Sequence, residues 1–118
     1  MAHEEFTNVL KSTDEIELTV TGRISGRKTS RPVWFVRDGA TLYLLPVTGS
    51  DSAWYKNALK NPTITLAAKG AKLTAKARPL TDAATVGDIV EKFRANYGAG
   101  EVKKYYSKFD VAVAVSLD

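Results

Sequence analysis

The chain has 118 residues, 44% hydrophobic and 25% charged, with 17 Lys and Arg against 13 Asp and Glu for a formal net charge of +4. That length fits a single domain, residues 1–118, with one substantial core. With no cysteine, and His3 as the only histidine, the composition excludes a thiol nucleophile, a disulfide and a thiolate zinc site, and argues against a Ser-His-Asp triad or a His-rich metal centre. No metal site is expected. No apolar run approaches the length of a membrane span. The N-terminal stretch Met1-Ala2-His3-Glu4-Glu5 is acidic and lacks a secretory apolar region. A cytoplasmic protein with no stable membrane insertion is the expectation, with His3 on a mobile end. If the chain is an enzyme, carboxylates and tyrosines do the work, or a bound cofactor carries the chemistry and the protein orients it.

In chain order, residues 16–21 alternate: Ile16, Leu18 and Val20 face one way, Glu17, Thr19 and Thr21 the other, the pattern of a half-buried strand. A loop is predicted from Thr21 to Pro32. Residues 32–37 read as a second strand, and Asp38-Gly39 is a hairpin signal. Residues 41–47 form the return strand. Ser50 or Asp51 is the predicted cap of a short helix carrying Trp54, Tyr55, Ala58 and Leu59 at helical spacing, ended by Asn61-Pro62. Residues 63–68 and 72–78 are two strands joined at Gly70. Thr81 or Asp82 caps a longer helix with a stripe of Val86, Ile89, Val90, Phe93 and Tyr97, which Gly98 and Gly100 break. A helical turn over residues 101–107 brings Tyr105 and Tyr106. A last strand, 110–117, points Val111, Val113, Val115 and Leu117 to one side. Six short strands with inserted helices and mostly hairpin connections predict an antiparallel barrel of α+β type.

The charge is not evenly spread. Residues 18–37 hold Arg23, Arg27, Lys28, Arg31 and Arg37 and no acid, a local +5, so the remaining residues sum to −1. Two glycines, Gly22 and Gly26, let the backbone bend near a ligand. Ser25, Thr29 and Ser30 add hydroxyls, and arginines hold phosphate or carboxylate through paired hydrogen bonds. The segment suits an anionic group, and a solvated charged hairpin suits it equally on charge alone.

Three segments resemble the deazaflavin-dependent nitroreductase family, within the split β-barrel flavin-binding superfamily. Thr21-Gly22-Arg23-Ile24-Ser25-Gly26-Arg27 is similar to that family's T-G-R-x-S-G followed by basic residues and then a proline, here Pro32. Ala53-Trp54-Tyr55-Lys56-Asn57-Ala58-Leu59-Lys60-Asn61-Pro62 is similar to its W-Y-x-N-L-x-x-N-P. Tyr105-Tyr106 precedes a valine-rich terminal strand, where the family often has tyrosines. The chain departs from the family at residues 47–52, where one glycine and an acid replace a Gly-Gly pair and a proline, and at Arg31, which directly precedes Pro32. The resemblance implies a split β-barrel of α+β class, about six mostly antiparallel strands with short helices inserted. It also implies 8-hydroxy-5-deazaflavin (coenzyme F-420) as cofactor, with FMN as the alternative. The implied reaction is hydride transfer to a small electron-poor acceptor such as a quinone, an enone or a nitro compound.

On that basis the expected cofactor-binding residues are Arg23, Ser25, Gly26, Arg27, Lys28 and Arg31 for the anionic tail, Pro46, Val47, Thr48 and Trp54 against the ring, and Asn57 in an orienting role. Ser25 offers a hydroxyl and Gly26 a backbone N–H. Trp54, an aromatic at helical spacing, reads first as a core residue, and Asn57 as an orienting hydrogen-bonder. Tyr105 and Tyr106 are the candidate catalytic residues: adjacent on a helix they diverge by roughly 100°, so one can be core while the other donates a proton. Trp34 lines the pocket or seals an interface. The apolar run from Val33 to Val36 favours burial on both sides, hence a homodimer. A nucleic-acid-binding barrel is disfavoured because the basic residues concentrate in one loop. A non-catalytic carrier of the same cofactor is the remaining alternative.

Overall fold

The computed structural model describes residues 2–117. Its strands are β1 (Glu15–Thr21), β2 (Lys28–Asp38), β3 (Thr41–Leu44), β4 (Thr63–Ala68), β5 (Ala71–Lys76), β6 (Arg78–Leu80) and β7 (Ala112–Ser116), and its helices α1 (Ala2–Leu10), α2 (Ala53–Lys60), α3 (Ala83–Tyr97) and α4 (Ala99–Tyr105). The strands form one sheet in the order β5-β4-β1-β2-β3-β7-β6, and every pairing is antiparallel.

The sheet has seven strands because the predicted strand over residues 72–78 is two. Ala77 is the joint: its N–H, donated to Pro62 O at 2.7 Å, makes the last bond on the β4 side, and the chain turns to β7 at Arg78. β5 before it pairs with β4, and β6 after it pairs with β7. These are the two outer edges of the sheet, joined by a single residue. The sheet must therefore curl until its edges meet, and the result is a barrel left open between β5 and β6, a split β-barrel.

Two apolar layers follow. Ile16, Leu18 and Val20 of β1, Leu66 of β4, Leu73 of β5 and Val113 and Val115 of β7 fill the barrel with Phe35, Trp54 and Tyr55. Outside it, α3 and α4 cover the β2–β3–β7 side through Val86, Ile89, Phe93, Val102 and Tyr106, packed with Trp34, Val36 and Tyr43. The run from Val33 to Val36 is thus split between the barrel and this outer layer within one chain, so its apolarity does not call for a partner.

Other boundaries differ from expectation. β2 begins at Lys28, not Pro32, because residues 28–31 continue the ladder with β1 and Thr19 and Ser30 bond through their hydroxyls at 2.7 Å. Pro32 is tolerated there since β3 pairs with β2 only from Phe35 onward. β3 stops at Leu44. α2 is capped by Ser52, whose Oγ accepts from Tyr55 N at 3.5 Å, while Ser50 and Asp51 form a separate 3-10 turn. Leu59 is exposed. Gly98, at φ +95°, separates α3 from α4, but Gly100 lies inside α4. The first helix was not legible: α1 carries the backbone of His3, and buries Phe6 and Leu10 in the barrel core.

Candidate active site

A cleft of about 480 Å³ opens where β2 parts from β3. One wall is β2, with Arg31, Val33 and Trp34; a second is Val47, Thr48 and the start of α2 with Ser52 and Trp54; the third is Tyr105 and Tyr106. The walls are tied together. Val47 O accepts from Ser107 N at 2.9 Å and from Ser107 Oγ at 3.3 Å, which joins the 46–48 segment to the end of α4. Trp34 meets Tyr105 edge-on at 5.4 Å between ring centroids and Tyr106 at 6.0 Å.

The two tyrosines diverge as adjacent residues at a helix end must. Tyr106 is buried, and burial pushes its phenol well above the ordinary value, with the nearby Tyr97 adding to the rise. Tyr105 is 49% exposed. Trp54 is buried in the barrel core and also lines the cleft.

The basic loop, now only residues 22–27, does not line the cleft. It sits against α2. Asn57 Oδ1 accepts from Arg23 N at 3.1 Å and from Arg23 Nη1 at 2.7 Å. One turn on, Asn61 Nδ2 donates to Thr21 O at 3.3 Å. The N-x-x-x-N spacing, the signal for this role, turns both amides toward the loop, Asn57 from within α2 and Asn61 from its C-cap. Trp54 and Asn57 are three residues apart on α2, so that helix joins the cleft to the loop.

Within the loop, Gly22 N donates to Arg27 O at 2.7 Å and Gly26 N to Gly22 O at 3.0 Å. A Cβ on Gly22 would stand 2.8 Å from Ser25 Oγ. The Gly26 N–H expected to face a phosphate is therefore engaged inside the loop. Ser25 Oγ accepts from Arg27 N at 3.2 Å and keeps its own proton to donate. The guanidinium of Arg27 is exposed. Lys28 departs from the group: it opens β2 on the outer sheet face, along a groove with Thr19, Thr21 and Asn61. Pro46 is buried and lies behind the cleft, with its carbonyl accepting from Gly49 N at 3.1 Å.

Beneath Thr48 a charged brace fixes the turn into α2. Asp110 accepts from Ser50 N at 2.9 Å and from Ser50 Oγ at 2.5 Å, which holds its carboxyl below the ordinary value. Lys108 bridges Asp51 at 3.1 Å and Asp110 at 3.7 Å. Gly49 is required there: its φ is +57°, and a Cβ would lie 2.1 Å from Asp110 Oδ1. These residues had no recognisable pattern, being joined across 60 positions of chain.

The site fits a flat anionic cofactor. An aromatic and aliphatic cleft suits a planar ring, Arg31 stands at its rim, and α2 leads from it to a loop with two exposed arginines. Residues 3–118 match the model of the F420H(2)-dependent quinone reductase family. No curated protein matches. Among solved structures the chain is similar to a reductase dependent on reduced F-420, designated FDR-A, at 21% identity over 87% of this chain and 94% of that one, TM-score 0.67. It is similar to a protein described as a domain-swapped dimer at 20% identity, covering 96% and 95%, TM-score 0.68. A Listeria innocua protein assigned as a pyridoxamine 5'-phosphate oxidase shares the fold at 16% identity, covering 98% and 92%, TM-score 0.69.

Proposed function

This chain belongs to the F420H(2)-dependent quinone reductase family, and from that premise we propose how its residues divide the work of a deazaflavin-dependent reductase. Coenzyme F-420, when bound and reduced, supplies the hydride that no side chain here can supply. The cleft holds the ring and the acceptor face to face, because alignment dominates such a transfer. Val33, Val47, Trp34 and Trp54 exclude water from that contact. Arg23 and Arg27 hold the anionic tail, with Arg31 between tail and ring. Asn57 acts on the tail indirectly by fixing Arg23. The observation that carries this reading is the single helix α2, which lines the cleft with Trp54 and anchors the basic loop with Asn57.

The acceptor is a small electron-poor molecule: a quinone, an activated enone or a nitroaromatic. Its reduced anion takes a proton from Tyr105. A donor must carry negative charge as the proton leaves, and burial opposes that at Tyr106. Tyr105 is half-exposed, so water can screen that charge and return the proton. A homodimer is supported by the domain-swapped neighbour. Among the described residues no helix is long and apolar enough to cross a membrane.

The test is anaerobic mixing of protein, reduced cofactor and a panel of acceptors. Oxidation of the cofactor that requires protein and follows acceptor electrophilicity supports the reading. Bound reduced cofactor that survives every acceptor would instead make the protein a carrier.

A further inference from the structure

We infer that Tyr97 is a positioning residue of the reductase: from behind the cleft it sets the angle of the Trp34 indole, and through it the placing of Tyr105 and Tyr106 toward the acceptor. The inference rests on the reading that the acceptor occupies the cleft.

Tyr97 closes α3 and is not part of the cleft wall. Its ring lies flat on Trp34, with centroids 4.3 Å apart and planes 7° apart. Phe93 backs it at 5.9 Å. The hydroxyl is fixed to main chain: it accepts from Phe35 N at 3.2 Å, and Phe35 O and Asp14 O, each at 2.7 Å, can take its proton. Phe35 follows Trp34 directly. One phenol therefore grips both the ring and the backbone of a two-residue stretch in the cleft wall. It also joins three segments there, the turn before β1, the middle of β2 and the end of α3. Covered on one face by Tyr97 and met at the edge by Tyr105, the indole has little freedom to change rotamer. A residue needed only to fill space would have no use for the backbone clamp, since phenylalanine fills the same volume.

Tyr97→Phe removes the clamp and keeps the stack; Tyr97→Leu removes both. Two quantities are read below the melting temperature of each variant: the KM for the acceptor, and the Kd of a soluble naphthoquinone for the cofactor-free protein, from tryptophan quenching. Both should rise in the order wild type, Phe, Leu, reaching roughly fivefold or more for Leu. Near-UV circular dichroism should lose the coupled Trp–Tyr band in Leu and keep it in Phe. A lowered melting temperature with KM and naphthoquinone Kd unchanged in both variants would overturn the proposal and leave Tyr97 a packing residue. If Leu does not fold, Phe decides alone, and unchanged values in it overturn the proposal. Wild-type protein that neither binds the naphthoquinone nor turns over would defeat the cleft reading and this proposal together, an outcome distinct from variants that match an active wild type.

Discussion

At the scale of single residues, the pair Tyr105 and Tyr106 separates two tasks. Tyr106 is buried against Phe93 and Trp34 and resists ionisation, which suits a wall. In the proposed reaction Tyr105 is the donor. Its Phe variant should lose roughly 10²-fold in turnover with cofactor affinity retained, while Tyr106→Phe should lose less than about tenfold. Steady-state rates at saturating cofactor decide it; two variants near wild type would assign the proton to water. Arg27 is the sharper test of the tail. It makes no side-chain contact in the fold among the hydrogen bonds and ion pairs described, so Arg27→Ala should leave apo stability unchanged and weaken cofactor binding by about 1.5–3 kcal/mol, the range of a charge-assisted hydrogen bond. Titration at rising salt should show wild-type affinity falling faster than that of the variant.

At the scale of elements, α2 is the organiser. Its N-terminal turn lines the cleft and its last turns hold the loop, so its entry geometry matters to both. That entry is set by the Gly49–Asp51 turn and its brace to Asp110. Gly49→Ala places a methyl group on the Asp110 carboxylate in a left-handed backbone, and should cost more than about 1 kcal/mol of stability, a loss of several degrees in thermal midpoint. An unchanged midpoint would show that the brace yields freely. The same element explains how Asn57 reaches the loop without lining the cleft: its oxygen accepts from Arg23.

At the scale of the molecule, two sets of groups bound the pH range of stability. Asp110, lowered chiefly by its hydrogen bond from the Ser50 side chain, and Asp82, lowered chiefly by Thr85 N at the α3 cap, favour the folded state while ionised. Their contribution is present above the ordinary carboxylate value of 3.8 and is lost as pH falls below it. Tyr97 and Tyr106 are raised chiefly by burial. Unfolding lets them ionise earlier, so stability declines as pH climbs past the ordinary phenol value of 10.0. Urea midpoints should therefore hold a plateau between these limits and fall at both ends, with Asp110→Asn flattening the acid limb. Assembly is testable at the same scale: light scattering should give twice the 12.9 kDa chain mass, and a monomer mass across a wide concentration range would refute the dimer.

The sequence by itself determined the strands whose faces alternate, the helix stripe ending in Tyr97, the concentration of charge in one hairpin and the family. Each of these is local: period-two and helical periodicity report which side of an element is apolar. Tertiary structure alone decided that residues 72–78 serve both edges of the barrel, because a single residue, Ala77, changes partners while the apolar alternation runs on. Pairing with β1 likewise drew residues 28–31 out of the loop, placing Lys28 on the outer face and Arg31 at the cleft. The Ser50–Asp110 brace and the Tyr97 grip on Trp34 and Phe35 were invisible for the same reason. Their partners meet only after the sheet has curled, and no local pattern records a contact that long-range pairing creates.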